Sequence, residues 1–345
     1  MRHRLLPAII GILYLAHPGC GGSSPTGPAD EPTDYRAELR SALVTLSDQP
    51  ADPLLQLHFN SILQVIEAGD HGWPADDQGI IELWSAFTDP STPHSPRLPE
   101  SYLDRSRPLV VSWISPTDGQ VSFAWLTLPV GWDPALEYPL YVQLHGLWEV
   151  AQNRIPYLAY PFSHPAGSFA FQDGYLMSPW GRGNLWYRGI AETDIWEGIA
   201  AVNALVLVDA RRRYLCGHSM GGYGAWHIAV RSADSWAALG IHAGALQYDP
   251  TELNAAAATA LRDLPTYFVV GTSDGLLDVN EMAYTLLQDA GNQNLAFVTF
   301  PGGHDYRQAD VEAMYLWLRK FESRLDSQET SRLHAQEIPG SSPRQ

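Results

Sequence analysis

The apolar positions of this chain change period part way along, and the change divides it into a helical first part and a β-rich second part. Tyr35, Leu39, Ala42, Leu43 and Leu46 recur at helical spacing. Asp52 followed by Pro53 has the form of an N-cap and first-turn pair, opening a second helix that runs to about Ala68 and stops at Gly69. Ile80, Leu83, Trp84 and Phe87 predict a third helix, and the Pro-rich segment from Asp89 to Pro99 closes the block. From Leu103 the pattern is that of strands. Leu109 to Ile114 and Val121 to Leu128 flank the turn SPTDGQ, with Val121, Phe123 and Trp125 alternating, so a β-hairpin is predicted. Later apolar runs cover Leu140 to Leu144, Tyr175 to Ser178, Tyr214 to Cys216, Leu239 to His242, Tyr267 to Val270 and Ala296 to Phe300, interleaved with helical patterns. This alternation predicts an α/β fold: a doubly wound, mostly parallel sheet with helices on both faces, preceded by the hairpin and a short helical extension.

Composition and charge narrow the function classes. A chain of 345 residues, 45% hydrophobic and 17% charged, can bury a large core. Its 21 Lys and Arg against 38 Asp and Glu give a net charge of −17, which argues against nucleic acid or anionic lipid headgroups as partners. Arg2 and Arg4 followed by the apolar run Leu5 to Ala16 read as a signal peptide over residues 1–20, with an apolar run too short to span a bilayer. Cys20, between Gly19 and Gly21, resembles the lipidation site of bacterial lipoproteins. The expected location is therefore extracytoplasmic, either secreted or held at a membrane through Cys20 alone. Residues 21–33 read as a flexible linker, 34–99 as the helical extension with its Pro-rich linker, 100–326 as the sheet-bearing domain and 327–345 as a disordered tail. Cys20 and Cys216 are the only cysteines, so neither a disulfide framework nor a cysteine zinc site is available. The pattern leaves oligomeric state open.

The most informative string is YLCGHSMGGYGAW, where Gly217, Ser219 and Gly221 form G-x-S-x-G after a short apolar strand and before a helical pattern. With Gly and Ser at roughly 0.07 each, the bare pattern arises by chance in about one chain of this size in ten. Context carries the reading. A strand turning sharply into a helix crowds its own neighbours, and the glycines let Ser219 adopt strained backbone angles with its hydroxyl exposed. The helix beginning at Met220 aims backbone N–H groups at the same spot, where an oxyanion would form.

A serine hydroxyl becomes a useful nucleophile when a base takes its proton and a carboxylate orients that base. After the strand YFVV comes GTSDGLLD, placing Asp274 at a strand end, and after AFVTF comes PGGHDY, placing His304 at the next. Asp278, one helical turn beyond Asp274, is the rival acid. Asp305 reads better as a cap for the following helix, and His218, His227 and His242 as structural. The strand PLYVQLHG ends in His145 and Gly146, so the N–H of Leu147 is expected as the second oxyanion donor beside that of Met220. Trp148, Trp180 and Trp186 follow strand ends where a cleft should open, as candidates either for substrate contact or for packing. Arg182 and Glu192 are expected to form a salt bridge that pins their loop, a better reading than direct contact with substrate.

These residues together resemble the α/β-hydrolase superfamily. GRGNLWYRGIAETDIWEGI followed by YLCGHSMGGYGAW is similar to the catalytic domains of the prolyl oligopeptidase family and to related secreted esterases of the feruloyl esterase and polyhydroxybutyrate depolymerase type. The resemblance covers roughly Leu103 to Phe321. It implies the α/β-hydrolase fold, Ser219 as nucleophile, Asp274 as acid and His304 as base. The sequence departs from the oligopeptidases in having only about seventy mostly helical residues where they carry a propeller, and from the usual acid loop in placing Gly275 and Leu276 after Asp274 and Val279 late. The expected activity is hydrolysis of carboxylic esters, of small molecules or linked to polysaccharide, through an acyl-enzyme and without metal or organic cofactor. Cleavage of short peptides by the same triad is the alternative, and a non-catalytic surface binding protein the third reading.

Overall fold

The computed structural model describes residues 34–48, 52–69, 75–89, 92–99, 102, 107–163 and 173–323. The predicted signal peptide, Cys20, the linker and the tail lie outside these residues. Three helices open the described chain: α1 (Tyr35–Ser47), α2 (Pro53–Ala68) and α3 (Ala75–Phe87). Asp52 caps α2 by accepting from Leu54 N at 2.9 Å, and Gly69 ends it in a left-handed conformation, φ 62°. A short antiparallel ribbon, β1 (Thr88–Asp89) and β2 (Thr92–Pro96), follows.

The main sheet has eight strands. They are β3 (Leu109–Ile114), β4 (Val121–Thr127), β5 (Tyr138–Leu144), β6 (Tyr175–Pro179), β7 (Val208–His218), β8 (Ala238–His242), β9 (Thr266–Gly271) and β10 (Leu295–Phe300). Their order is β10-β9-β8-β7-β5-β6-β4-β3, parallel from β10 to β6, with β4 and β3 antiparallel at one edge. Between the strands lie α4 (Arg154–Ser163), α5 (Ile190–Asn203), α6 (Met220–Ser232), α7 (Ala255–Ala260) and α8 (Leu277–Asp289), and α9 (Gln308–Leu318) follows the last strand. Both faces are covered. Leu140, Val142 and Leu144 of β5 point into the larger core, while Tyr141 joins Tyr214, Cys216, Met314 and Tyr315 in a second core under α9. Period-two strands buried on both sides read as continuous apolar runs, which is why they were legible. Strand β7 is longer than its apolar run because its first half, through Arg211 and Arg212, is only partly covered.

The helical block packs into the larger core with the sheet: Leu39, Phe59 and Ile62 are buried there with Val110 and Phe123. It also closes the sheet's edge. His58 Nδ1 accepts from Val110 N at 2.8 Å and Ser61 Oγ from Ser112 N at 3.1 Å, so side chains of α2 occupy the outward N–H groups of β3. Helix α4 escapes a pattern reading because it contains Pro156, in the first turn where no N–H is needed, and Pro161, which lies inside the helix and removes the bond to the carbonyl four residues back.

Candidate active site

The neighbours of β5 are β6 on one side and β7 on the other, so the direction of winding reverses there and a crevice opens at the carboxyl ends of β5 and β7. Ser219 stands directly after β7, at φ 57° and ψ −115°, a region costly for a residue with a Cβ. Three backbone bonds hold it there: Ser219 N donates to His242 O at 2.9 Å, and Ser219 O accepts from Tyr223 N at 3.1 Å and Ala245 N at 3.0 Å. The two motif glycines are required by space. A Cβ on Gly217 would lie 2.3 Å from Gly221 O, and one on Gly221 would lie 2.2 Å from Leu144 O.

Asp274 follows β9 and His304 follows β10, and both side chains reach Ser219's rim. His304 Nδ1 is 2.9 Å from Asp274 Oδ2, and His304 Nε2 is 2.8 Å from Ser219 Oγ. The carboxylate selects the tautomer in which Nδ1 donates and Nε2 accepts the serine proton. Asp274 is buried, at 7% exposure, and its other oxygen accepts from Leu276 N at 2.9 Å. Asp278 is exposed in the first turn of α8, so Asp274, not Asp278, meets the imidazole. Asp305 accepts from Gly303 N at 3.0 Å and so braces the His304 loop, whereas Arg307 occupies the N-cap position of α9 where Asp305 was expected to act.

Two further histidines line up behind this group. The His218 ring is stacked on His304 with centroids 5.0 Å apart and stands 4.9 Å from the His242 ring. Burial holds the pKa of His218 down to about 3 and that of His242 down to about 4, so both rings are neutral at ordinary pH. His227 is held between Glu252, 2.8 Å from Nδ1, and Glu192, 3.2 Å from Nε2. The expected bridge between Arg182 and Glu192 is therefore absent. Arg182 pairs instead with Asp194 at 2.9 Å and Asp118 at 3.1 Å, because its left-handed backbone, φ 58°, turns the side chain toward the hairpin.

Met220 N belongs to the first residue of α6 and has no acceptor within the helix. The chain leaving β5 passes beside the serine: a Cβ on Gly146 would lie 3.4 Å from Ser219 Cβ and 3.3 Å from His218 O. Beyond it opens a cavity of about 590 Å³ walled by Trp125, Trp148, Tyr157, Tyr160, Leu147 and Tyr306, with Gly146 and His218 on the side of Ser219. Of the three tryptophans, only Trp148 lines this cavity. Trp180 is buried, its Nε1 donating to Ala151 O at 3.0 Å and its ring covered by Arg154, so it packs. Trp186 lies flat on Tyr248, 3.8 Å between centroids. Trp125, read only as part of the hairpin's alternation, and Tyr157, Tyr160 and Tyr306 were not candidates for the site: the first three sit on a strand and a helix like ordinary core residues, and Tyr306 in the loop after His304.

Residues 199–328, which include Ser219, Asp274 and His304, match the protein-family model Esterase. No curated protein matches the chain in sequence. Among solved structures, a thermostable esterase superposes with a TM-score of 0.51 at 17% identity, the match covering 64% of this chain and 64% of that one. The chain thus spans less than two thirds of that relative's length. A ferulic acid esterase superposes with a TM-score of 0.50 at 19% identity, over 62% of this chain and 98% of that one. The feruloyl esterase module from Clostridium thermocellum, complexed with sinapinate, gives 0.46 at 18% identity, over 65% of this chain and 92% of that one. At such identities the likeness is one of architecture, and that architecture is the α/β-hydrolase fold.

Proposed function

We propose that this protein hydrolyses carboxylic esters through an acyl-serine intermediate. The observation that carries the reading is the continuous chain Asp274, His304, Ser219, with contacts of 2.9 and 2.8 Å, ending on a serine in a strained strand-to-helix turn. In this reading Ser219 Oγ attacks the ester carbonyl carbon as its proton passes to His304 Nε2, and Asp274 stabilises the imidazolium that results. The carbonyl oxygen, now an oxyanion, accepts from the N–H groups of Met220 and Leu147. His304 returns the proton to the departing alcohol. A water then gives its proton to His304 and attacks the acyl-serine, releasing the acid and restoring the serine.

The cavity beside Gly146 supports one arm of the ester being apolar or aromatic, since five of its walls are Trp or Tyr. Ferulic acid esters, small or linked to polysaccharide, are the first substrates to test, given the architecture shared with a ferulic acid esterase.

Replacing Ser219 by Ala should lower turnover of p-nitrophenyl esters by about 10³- to 10⁶-fold and abolish labelling by a fluorophosphonate. An unchanged rate in a folded S219A variant would refute the proposal. Cleavage of peptide amides as efficiently as esters would move the assignment to a peptidase.

A further inference from the structure

Backbone strain is concentrated in one loop besides the nucleophile turn. Between β6 and α5, Arg182, Trp186 and Tyr187 stand at φ 58°, 58° and 54°, alongside three left-handed glycines, Gly181, Gly183 and Gly189. Such conformations persist only where surrounding contacts over-determine them, and they mark candidates for a working part.

What this loop grips is the segment leaving β5. Tyr187 Oη donates to His145 O at 3.1 Å. Asn184 Nδ2 donates to Trp148 O at 2.8 Å, and Asn184 Oδ1 accepts from Trp148 N at 3.2 Å. The two residues between these clamped points are Gly146, which passes beside Ser219, and Leu147. The loop is in turn keyed to the nucleophile's own helix. The Tyr187 ring is fully buried and lies where a Cβ on Gly224 of α6 would come within 2.4 Å of it. One rigid piece therefore touches α6 at Tyr187 and brackets the Gly146–Leu147 peptide from both sides.

We propose that Asn184 and Tyr187 are positioning residues that fix the Leu147 N–H against the oxyanion. The inference rests on the hydrolase reading above. A peptide flanked by glycine rotates freely unless its neighbours are held, and an N–H that swings away stabilises no developing charge. His145 Nδ1 engages the peptide's own carbonyl, Gly146 O, at 2.8 Å, and holding His145 O and both polar atoms of the Trp148 backbone fixes the residues on either side, so the freedom is removed before substrate arrives. Because the oxyanion exists only in the tetrahedral state, the contribution falls on kcat and leaves ester binding alone.

The test compares wild type with Tyr187→Phe, Asn184→Ala and Asn184→Asp, measuring kcat and KM on p-nitrophenyl butyrate. Affinity for a trifluoromethyl ketone, which forms a tetrahedral adduct with serine, and for the product butyrate is measured beside it. Tyr187→Phe and Asn184→Ala should each lower kcat about 10- to 100-fold, weaken the ketone by the same factor and leave KM and butyrate affinity unchanged. Asn184→Asp, which keeps the acceptor for Trp148 N, should fall between wild type and Asn184→Ala. Unfolding midpoints and fluorophosphonate labelling report whether each variant is folded. Folded variants that keep kcat, or lose it with a raised KM and unaltered ketone affinity, overturn the positioning role alone. A wild-type protein inert to esters and to fluorophosphonate overturns the hydrolase reading, and the positioning role with it.

Discussion

The turn at Ser219 and the loop from Gly181 to Gly189 both force residues with a Cβ into left-handed backbone, yet they do so by different means. At Ser219 the cause is local. Strand β7 runs straight into α6, and two glycines within two residues of the serine make the turn sterically possible. In the Gly181 to Gly189 loop the cause is remote: Arg182 is held by Asp194 and Asp118, and Tyr187 and Asn184 by the chain leaving β5. The first kind of strain leaves a motif in the sequence, and the second leaves only a run of glycines whose meaning depends on what lies across the crevice. The lesson concerns where to look for function: a strained site need not announce itself as a motif if its partners are far off in the chain.

This contrast can be broken or sharpened by substitution. The largest effect separates the two aspartates of the acid loop. Asp274→Asn should lower kcat on p-nitrophenyl esters about 10³- to 10⁴-fold by upsetting the imidazole tautomer, whereas Asp278→Asn should leave it within about two-fold. Equal losses at both positions would contradict the geometry. Next comes the local turn itself. Gly221→Val places side-chain atoms where Leu144 O already sits, and urea unfolding should show a loss of about 3 kcal/mol or more, or no soluble protein.

A pH effect of intermediate size comes from the buried histidines. Burial holds the His58 pKa down to about 3, while in the unfolded chain it lies near its ordinary value of about 6.5. As pH falls from about 6.5 toward 3 the unfolded state carries the extra proton, so stability present above this window is lost within it, by up to about 1.4 kcal/mol per pH unit. His218 and His242 act in the same sense. Asp194 acts in the opposite sense, since burial raises its carboxyl to about 6. Thermal unfolding midpoints measured from pH 7 to pH 4 should therefore decline, and His58→Asn, which keeps an acceptor for Val110 N, should flatten the slope. The smallest effect belongs to the remote loop. Gly189 has φ 57° and ψ −122°, with nothing within 4 Å of a Cβ, so Gly189→Ala should cost about 1 to 3 kcal/mol of backbone strain and no clash, unlike Gly221.

Much of the fold was legible because strands covered on both faces must be apolar throughout, and the runs at Leu140, Leu239 and Tyr267 have no other reading as strongly favoured. The polar half of β7 was not legible because it carries no apolar period, and α4 was not because Pro156 and Pro161 interrupt a stretch whose Ile155, Leu158 and Phe162 do keep helical spacing. In the site, Ser219, Asp274 and His304 stand out because each follows a strand end with glycine beside it. For Arg182, spacing does not separate Glu192 from Asp194, both near in the chain, and the reach of the hairpin that brings Asp118 to it is invisible to spacing altogether.

From residues alone, then, come the layered α/β sheet, the strained serine and the groups able to activate it, all set by periodicity and by backbone geometry within a few residues. Only the folded chain decides that Asp274 meets His304, that α2 seals the β3 edge, and that Asn184 and Tyr187 clamp the peptide beside the nucleophile. The reason is the range of the forces involved. Propensity and turn chemistry act between neighbours in the chain, whereas hydrogen bonds and packing act between neighbours in space, and the crossovers of a doubly wound sheet bring together residues 30 to 85 positions apart.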